Sequence, residues 1–81
     1  MPKLKNLSGD EVVKIFAMFG FSKTIQKGSH IKLIRLLNDN VKQPITILNH
    51  KEIDKGTLKA IIRHATWYIP EEELKKHFYT E

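Results

Sequence analysis

An 81-residue chain without cysteine can build one hydrophobic core, but no disulfide framework and no cysteine-based zinc site. No apolar run approaches the ~20 residues that span a bilayer, and Met1-Pro2-Lys3-Leu4-Lys5-Asn6 lacks the apolar core of a signal peptide, so a soluble, cytoplasmic single domain over residues 1–81 is expected, with no membrane partner. The formal net charge of +5 is uneven: residues 22–64 hold seven Lys and two Arg against Asp39, Glu52 and Asp54, and the remainder is slightly acidic. A basic middle of this kind attracts polyanions, RNA among them.

In chain order, Ser8-Gly9-Asp10-Glu11 has the form of a capping box. Val12, Ile15, Phe16 and Phe19 follow it at helical spacing, and Gly20 is a natural terminator, so a helix over about 9–19 is expected to cover a sheet. Phe21–Lys27 reads as a strand with weak alternation, Phe21 and Ile25 sharing one parity. His30–Leu37 reads as a second strand, with Ile31 and Leu33 on one side and His30 and Lys32 on the other. The alternation then slips at Ile34, Arg35 and Leu36, which fits either a bulge or burial on both faces. Asn38-Asp39-Asn40 is a turn signal. Pro44–Leu48 reads as a third strand with Pro44 at its start.

Asn49–Ile53 reads as a loop, and Asp54 can cap a helix whose apolar stripe is Leu58, Ile61, Ile62 and Ala65. Lys55, Lys59 and Arg63 repeat every fourth residue on another side of that helix. Pro70 suits the first position of a short last helix, with Glu71, Glu72 and Glu73 in its first turn and Lys75, Lys76 and His77 in its last. Trp67 and Tyr68, between these helices, are expected to pack there rather than to stack on bases. The order α-β-β-β-α-α predicts an α+β fold: a three-stranded antiparallel sheet with helices on one face.

The candidate chemistry centres on Gln26-Lys27-Gly28-Ser29-His30. Gly28 can take the positive φ of a sharp turn, Lys27 supplies a fixed cation, and His30 is the one side chain whose ordinary pKa lies near neutrality. Pairing the second and third strands brings the start of one near the end of the other, so His30 and His50 could meet at one end of the sheet. One imidazole could then take the proton of a ribose 2′-OH while the other protonates the leaving oxygen. Lys27 or Lys51 could stabilise the charge that builds on phosphorus. Lys27, Lys32 and Lys59 are the phosphate-contact candidates. His64 and His77 read as surface or helix-end residues. No third ligand accompanies the His pair, so neither a metal site nor any other cofactor is expected. No phosphate-binding glycine loop, nucleophile elbow or dinucleotide fingerprint occurs.

From Leu7 to Phe78 the chain resembles the HicA family of small mRNA interferase toxins. The resemblance is carried by Phe19-Gly20-Phe21, Gln26-Lys27-Gly28-Ser29-His30, Asn49-His50-Lys51-Glu52-Ile53 and Lys55-Gly56-Thr57-Leu58-Lys59-Ala60-Ile61-Ile62, in this order. Leu48 stands where similar members often carry Pro, and Pro70 where Ser or Thr commonly caps the last helix. The resemblance implies a fold like that of double-stranded-RNA-binding domains and a metal-independent endoribonuclease acting on mRNA. It also implies a type II toxin held in check by a HicB-type antitoxin, and it puts the family's catalytic histidine on His30. Lys27, Gly28, Ser29, Lys32, His50 and Lys59 are then the expected RNA-binding residues. One alternative is a non-catalytic RNA-binding module, which needs the basic surface but no titrating histidine; a second is a protein-interaction domain whose basic stripe meets an acidic partner.

Overall fold

Ser8 fixes where the first helix begins. In the computed structural model, which describes residues 2–38 and 41–80, its hydroxyl accepts from the Glu11 N–H at 3.1 Å, and the Ser8 N–H donates to the Glu11 carboxylate at 2.9 Å. These bonds, that of the Ser8 N–H foremost, hold the Glu11 carboxyl below its ordinary range. Helix α1 (Gly9–Met18) follows, buries Val12, Ile15 and Phe16, and stops at Gly20, whose φ of +93° an L side chain would resist.

Strands β2 (Ser22–Lys27), β3 (His30–Leu36) and β4 (Lys42–Leu48) form an antiparallel sheet in that order. The expected turn at Asp39 and Asn40 lies outside the described residues; on its flanks the Leu37 N–H donates to the Val41 carbonyl at 2.9 Å. Asp54 caps α2 (Lys55–Ala65): its carboxylate accepts from the Thr57 hydroxyl at 2.7 Å and the Thr57 N–H at 3.0 Å. Those two bonds, the hydroxyl's first, hold the Asp54 carboxyl below its ordinary range. Helix α3 (Glu71–Phe78) docks through Leu74 and Phe78, with the Phe78 ring centroid 5.7 Å from that of Phe16. The expected α+β order is therefore present. Ile31, Leu33, Ile45 and Ile47 are buried while Lys32, Thr46 and His30 are exposed, so one face of the sheet is covered and the other is open.

Several expectations need correction. Phe21 and Ile25 do not share a face. A bulge between Lys23 and Ile25 adds one residue to β2, so Ser22 and Ile25 lie opposite Ile34 and Lys32 on the open face while Phe21 enters the core. Pro44 is not the start of its strand but lies inside β4, opposite Ile34; it is tolerated because β4 is an edge strand. Pro70 is the N-cap of α3 rather than its first helical residue, and it offers no side-chain cap. Trp67 is 77% exposed and packs between no helices, whereas Tyr68 is half-buried against the core as expected. A further pairing, β1 (Lys3–Leu4) with β5 (Tyr79–Thr80), was not legible in two-residue segments.

Arg35 explains the slipped alternation of β3. It shares the parity of buried Ile31 and Leu33, and its guanidinium is satisfied in that half-buried position. Nε donates to Gln43 Oε1 at 2.8 Å, Nη1 to the Phe19 carbonyl at 3.1 Å and Nη2 to the Tyr68 carbonyl at 2.9 Å. The group also lies 5.1 Å from the centre of the Phe21 ring. The exposed pairs Lys75–Glu71 and Lys76–Glu73 contribute little by comparison. Arg35→Met should keep the stem's packing yet destabilise the protein by about 2–4 kcal/mol, because the Phe19 and Tyr68 carbonyls lose their partners. Arg35→Lys should recover little of this, since one ammonium cannot span the three acceptors. Urea denaturation measures both, and a loss below about 1 kcal/mol for Arg35→Met would contradict the assignment.

Candidate active site and RNA-facing surface

The β2–β3 hairpin presents His30 through its turn. Gly28 has φ +56°, and a side chain there would meet open space, so backbone conformation is the sole constraint on the residue. The Gln26 amide donates to the Gly28 carbonyl at 3.2 Å and braces the turn. His30 lies directly opposite Lys27 on β2 and Leu48 on β4. Its neighbour Ile31 is buried, so the imidazole points away from the core on the open face, which Lys27 and Lys32 share. Among the described residues neither the His30 nor the His50 side chain has a hydrogen-bond partner within the chain, and both residues are exposed.

His50 reaches this end of the sheet because β4 ends opposite His30. The Asn49 N–H donates to the Ser29 carbonyl at 2.6 Å, so the loop after β4 is tied to the β2–β3 turn. The His50 carbonyl in turn accepts from the Gly9 N–H at 2.9 Å, and the Ile53 N–H donates to the Leu7 carbonyl at 2.8 Å. The loop is thus clamped between the hairpin and the start of α1. Gly9 was not singled out in the sequence. A Cβ there would stand 2.5 Å from the Leu48 carbonyl oxygen and 2.7 Å from Asn49 Cα, both backbone atoms that cannot rotate away. Its one visible signal was a glycine in the first turn of a helix, where it costs stability unless something must come close.

The structure gathers Lys27, Gly28, Ser29, His30 and Lys32 on one hairpin and sets His50 at the same end. Lys59 stands apart, exposed on α2 between Lys55 and Arg63, with α2 beginning just after the His50 loop. His64 and His77 are half-buried and pack edge-on to Trp67 and Phe19, with centroids 5.2 and 5.4 Å apart. Among the described residues no three His, Cys, Asp or Glu side chains cluster as metal ligands. The surface has a hollow of about 660 Å³ beside Pro2, Glu72 and Tyr79 and another of about 370 Å³ beside Arg63 and Trp67, and the His30 cluster lines neither. An open, basic surface suits an extended polyanion better than a small enclosed ligand.

A family model, HicA toxin of bacterial toxin-antitoxin, matches residues 9–67. The chain belongs to the HicA toxin family. The match takes in the hairpin, the His50 loop and all of α2, so each residue discussed around His30 lies within it. No curated protein and no solved structure matches this HicA chain. No helix among the described residues is long and apolar enough to cross a membrane.

The backbone clamp can be tested at its tightest point. Gly9→Ala should destabilise the protein by about 1–3 kcal/mol. It should also shift the backbone amide resonances of Asn49, His50 and Ser29. Gly56→Ala, where a Cβ would meet only Asp54 Oδ2 at 3.4 Å, should leave those resonances in place. Shifts confined to the neighbours of residue 9 would show that α1 does not hold the loop.

Proposed function

We propose that this HicA family member is an endoribonuclease that cleaves mRNA, with His30 as its general acid/base and no metal required. The observation that carries this reading is the exposed imidazole of His30 opposite Lys27, beside a positive-φ glycine turn and on an open face shared with Lys32. A phosphodiester lying along this surface would have its charge met by Lys27 and Lys32. Gly28 would let its backbone approach closely, and Ser29 would offer a hydroxyl at the turn.

The reaction balances with the chain's own groups. A neutral imidazole takes the proton of the ribose 2′-OH, and the 2′ oxygen attacks the adjacent phosphorus. The 5′ oxygen leaves with a proton, giving a 2′,3′-cyclic phosphate and a 5′-hydroxyl. Lys27 is placed to stabilise the extra negative charge of the pentavalent transition state. His50, on a loop tied to the same turn, is the candidate for the second proton transfer. Lys59 contributes backbone binding from α2 without reading bases.

The experiment is cleavage of a defined mRNA by purified protein in excess chelator, comparing the native chain with His30→Ala. His30 is exposed, so the variant should fold normally and lose about 10²–10⁴-fold in rate. Binding without cleavage by the native chain would instead mark a non-catalytic RNA-binding module. Near-normal cleavage by a folded His30→Ala protein would remove the residue from the chemistry.

Family membership brings an antitoxin into the account, and we propose one of HicB type that covers His30 and the basic surface in the cytoplasm. Its acidic side chains would be steered by the excess positive charge of residues 22–64 and associate fastest at low salt. RNA and antitoxin should compete for the His30→Ala protein, measured by displacement of labelled RNA. Simultaneous binding without mutual weakening would rule out occlusion and leave inhibition to act through conformation.

A further inference from the structure

Trp67 is the chain's one tryptophan, and it is 77% exposed just beyond the end of α2. The Thr66 and Trp67 N–H groups still bond back to the Ile62 and His64 carbonyls, so the helical path continues and the indole follows Lys55, Lys59 and Arg63 at four-residue intervals. With Ala60, Arg63 and His64 it lines a hollow of about 370 Å³. The His64 ring packs edge-on to the indole at 5.2 Å and props it from one side. No acid occurs within α2, and among the described residues Lys55, Lys59 and Arg63 enter no ion pair. A large aromatic surface left in water at the end of an unpaired cationic row has the composition of a single-strand RNA track: charges along the backbone and a π-face for a base.

We propose that Trp67 is a stacking platform for an unpaired RNA base, set at the far end of a phosphate-binding row made by Lys55, Lys59 and Arg63. The proposal rests on the endoribonuclease reading and adds a second contact remote in sequence from His30. Helix α2 starts just after the His50 loop and rises 1.5 Å per residue. Its length therefore separates platform and loop by about 16 Å, roughly five stacked nucleotides of one strand. The enzyme would grip its substrate several nucleotides from the scissile bond, which favours an unstructured stretch over a short hairpin.

The indole is its own reporter. Full-length His30→Ala protein is titrated with a 12-nucleotide unpaired RNA, following tryptophan fluorescence and, in parallel, the anisotropy of an end-labelled copy. The indole emission should be quenched with the same midpoint as the anisotropy rise. Adding Trp67→Ala should weaken binding about 5- to 150-fold, the range for loss of one base–aromatic stack. Trp67→Phe should restore most of it. Because Trp67 is exposed, both variants should keep the far-UV spectrum and melting temperature of the parent. Binding that leaves the indole emission unchanged, with Trp67→Ala as tight as the parent, would overturn the platform and leave the RNA reading intact. Absence of any anisotropy change would overturn both.

Discussion

Arg35 occupies a strand position whose parity calls for an aliphatic side chain, and the ends of two helices converge on it. The Phe19 carbonyl closes α1 and the Tyr68 carbonyl lies in the turn after α2, so two helix ends meet one planar cation. Gln43 adds the neighbouring strand. A helix leaves its last carbonyls without internal partners, and a half-buried site offers little water to replace them. One guanidinium satisfies both carbonyls at once. Gly20 beside it is required by its φ of +93° rather than by space, since a Cβ there would meet the Arg35 Cδ at an ordinary 3.4 Å. The orientation of α1 and of the α2 terminus over the sheet follows from this arrangement, as does the position of the far end of each helix.

Those far ends lie toward the His30 end of the sheet. With Arg35 holding one end of the sheet, α1 begins toward the other, where the Gly9 N–H meets the His50 carbonyl, and α2 begins just after that loop. The polar groups there are backbone atoms tied in series: Gly9 to His50, and Asn49 to Ser29. Such a chain fixes the loop's path without using a side chain, and the His30 and His50 imidazoles stay exposed, with no hydrogen-bond partner among the described residues. The capping carboxylates Glu11 and Asp54 stand at the same end, yet each is engaged by its own helix N-terminus, through Ser8 and Thr57.

The parts legible in the sequence were those set by local physics. Both long helices could be read because their caps, Ser8 and Asp54, and their apolar stripes are contained within about a dozen residues. The His30 turn was legible for the same reason, a glycine between two strand-like runs. The Arg35 contacts join residues far apart in the chain, and its charge looked only like a broken alternation. The β2 bulge was hidden because Phe21 and Ile25 gave the strand too little pattern to show an inserted residue. Gly9 was unreadable as a close-contact position because the atoms it avoids lie in Leu48 and Asn49. Trp67 was misassigned because an indole is usually buried, and nothing in its neighbours showed that α2 would end before the chain turned inward.

Every residue of β2 is exposed, although the strand carries one side of the His30 turn. Its hydrogen bonds to β3 are its hold on the protein, supported by almost no apolar burial, so opening it costs far less than unfolding the core. The β2 side of the hairpin that carries His30 is therefore poorly insulated against local opening. The turn's shape depends on the β2–β3 ladder and on the Ser29–Asn49 bond, while His30 itself opens the central strand, opposite Leu48 of β4 and next to buried Ile31. A ligand that lies across β2 gains a second effect besides occupancy: it sets the lifetime of the turn itself, rigidifying it or prising it apart without touching the imidazole.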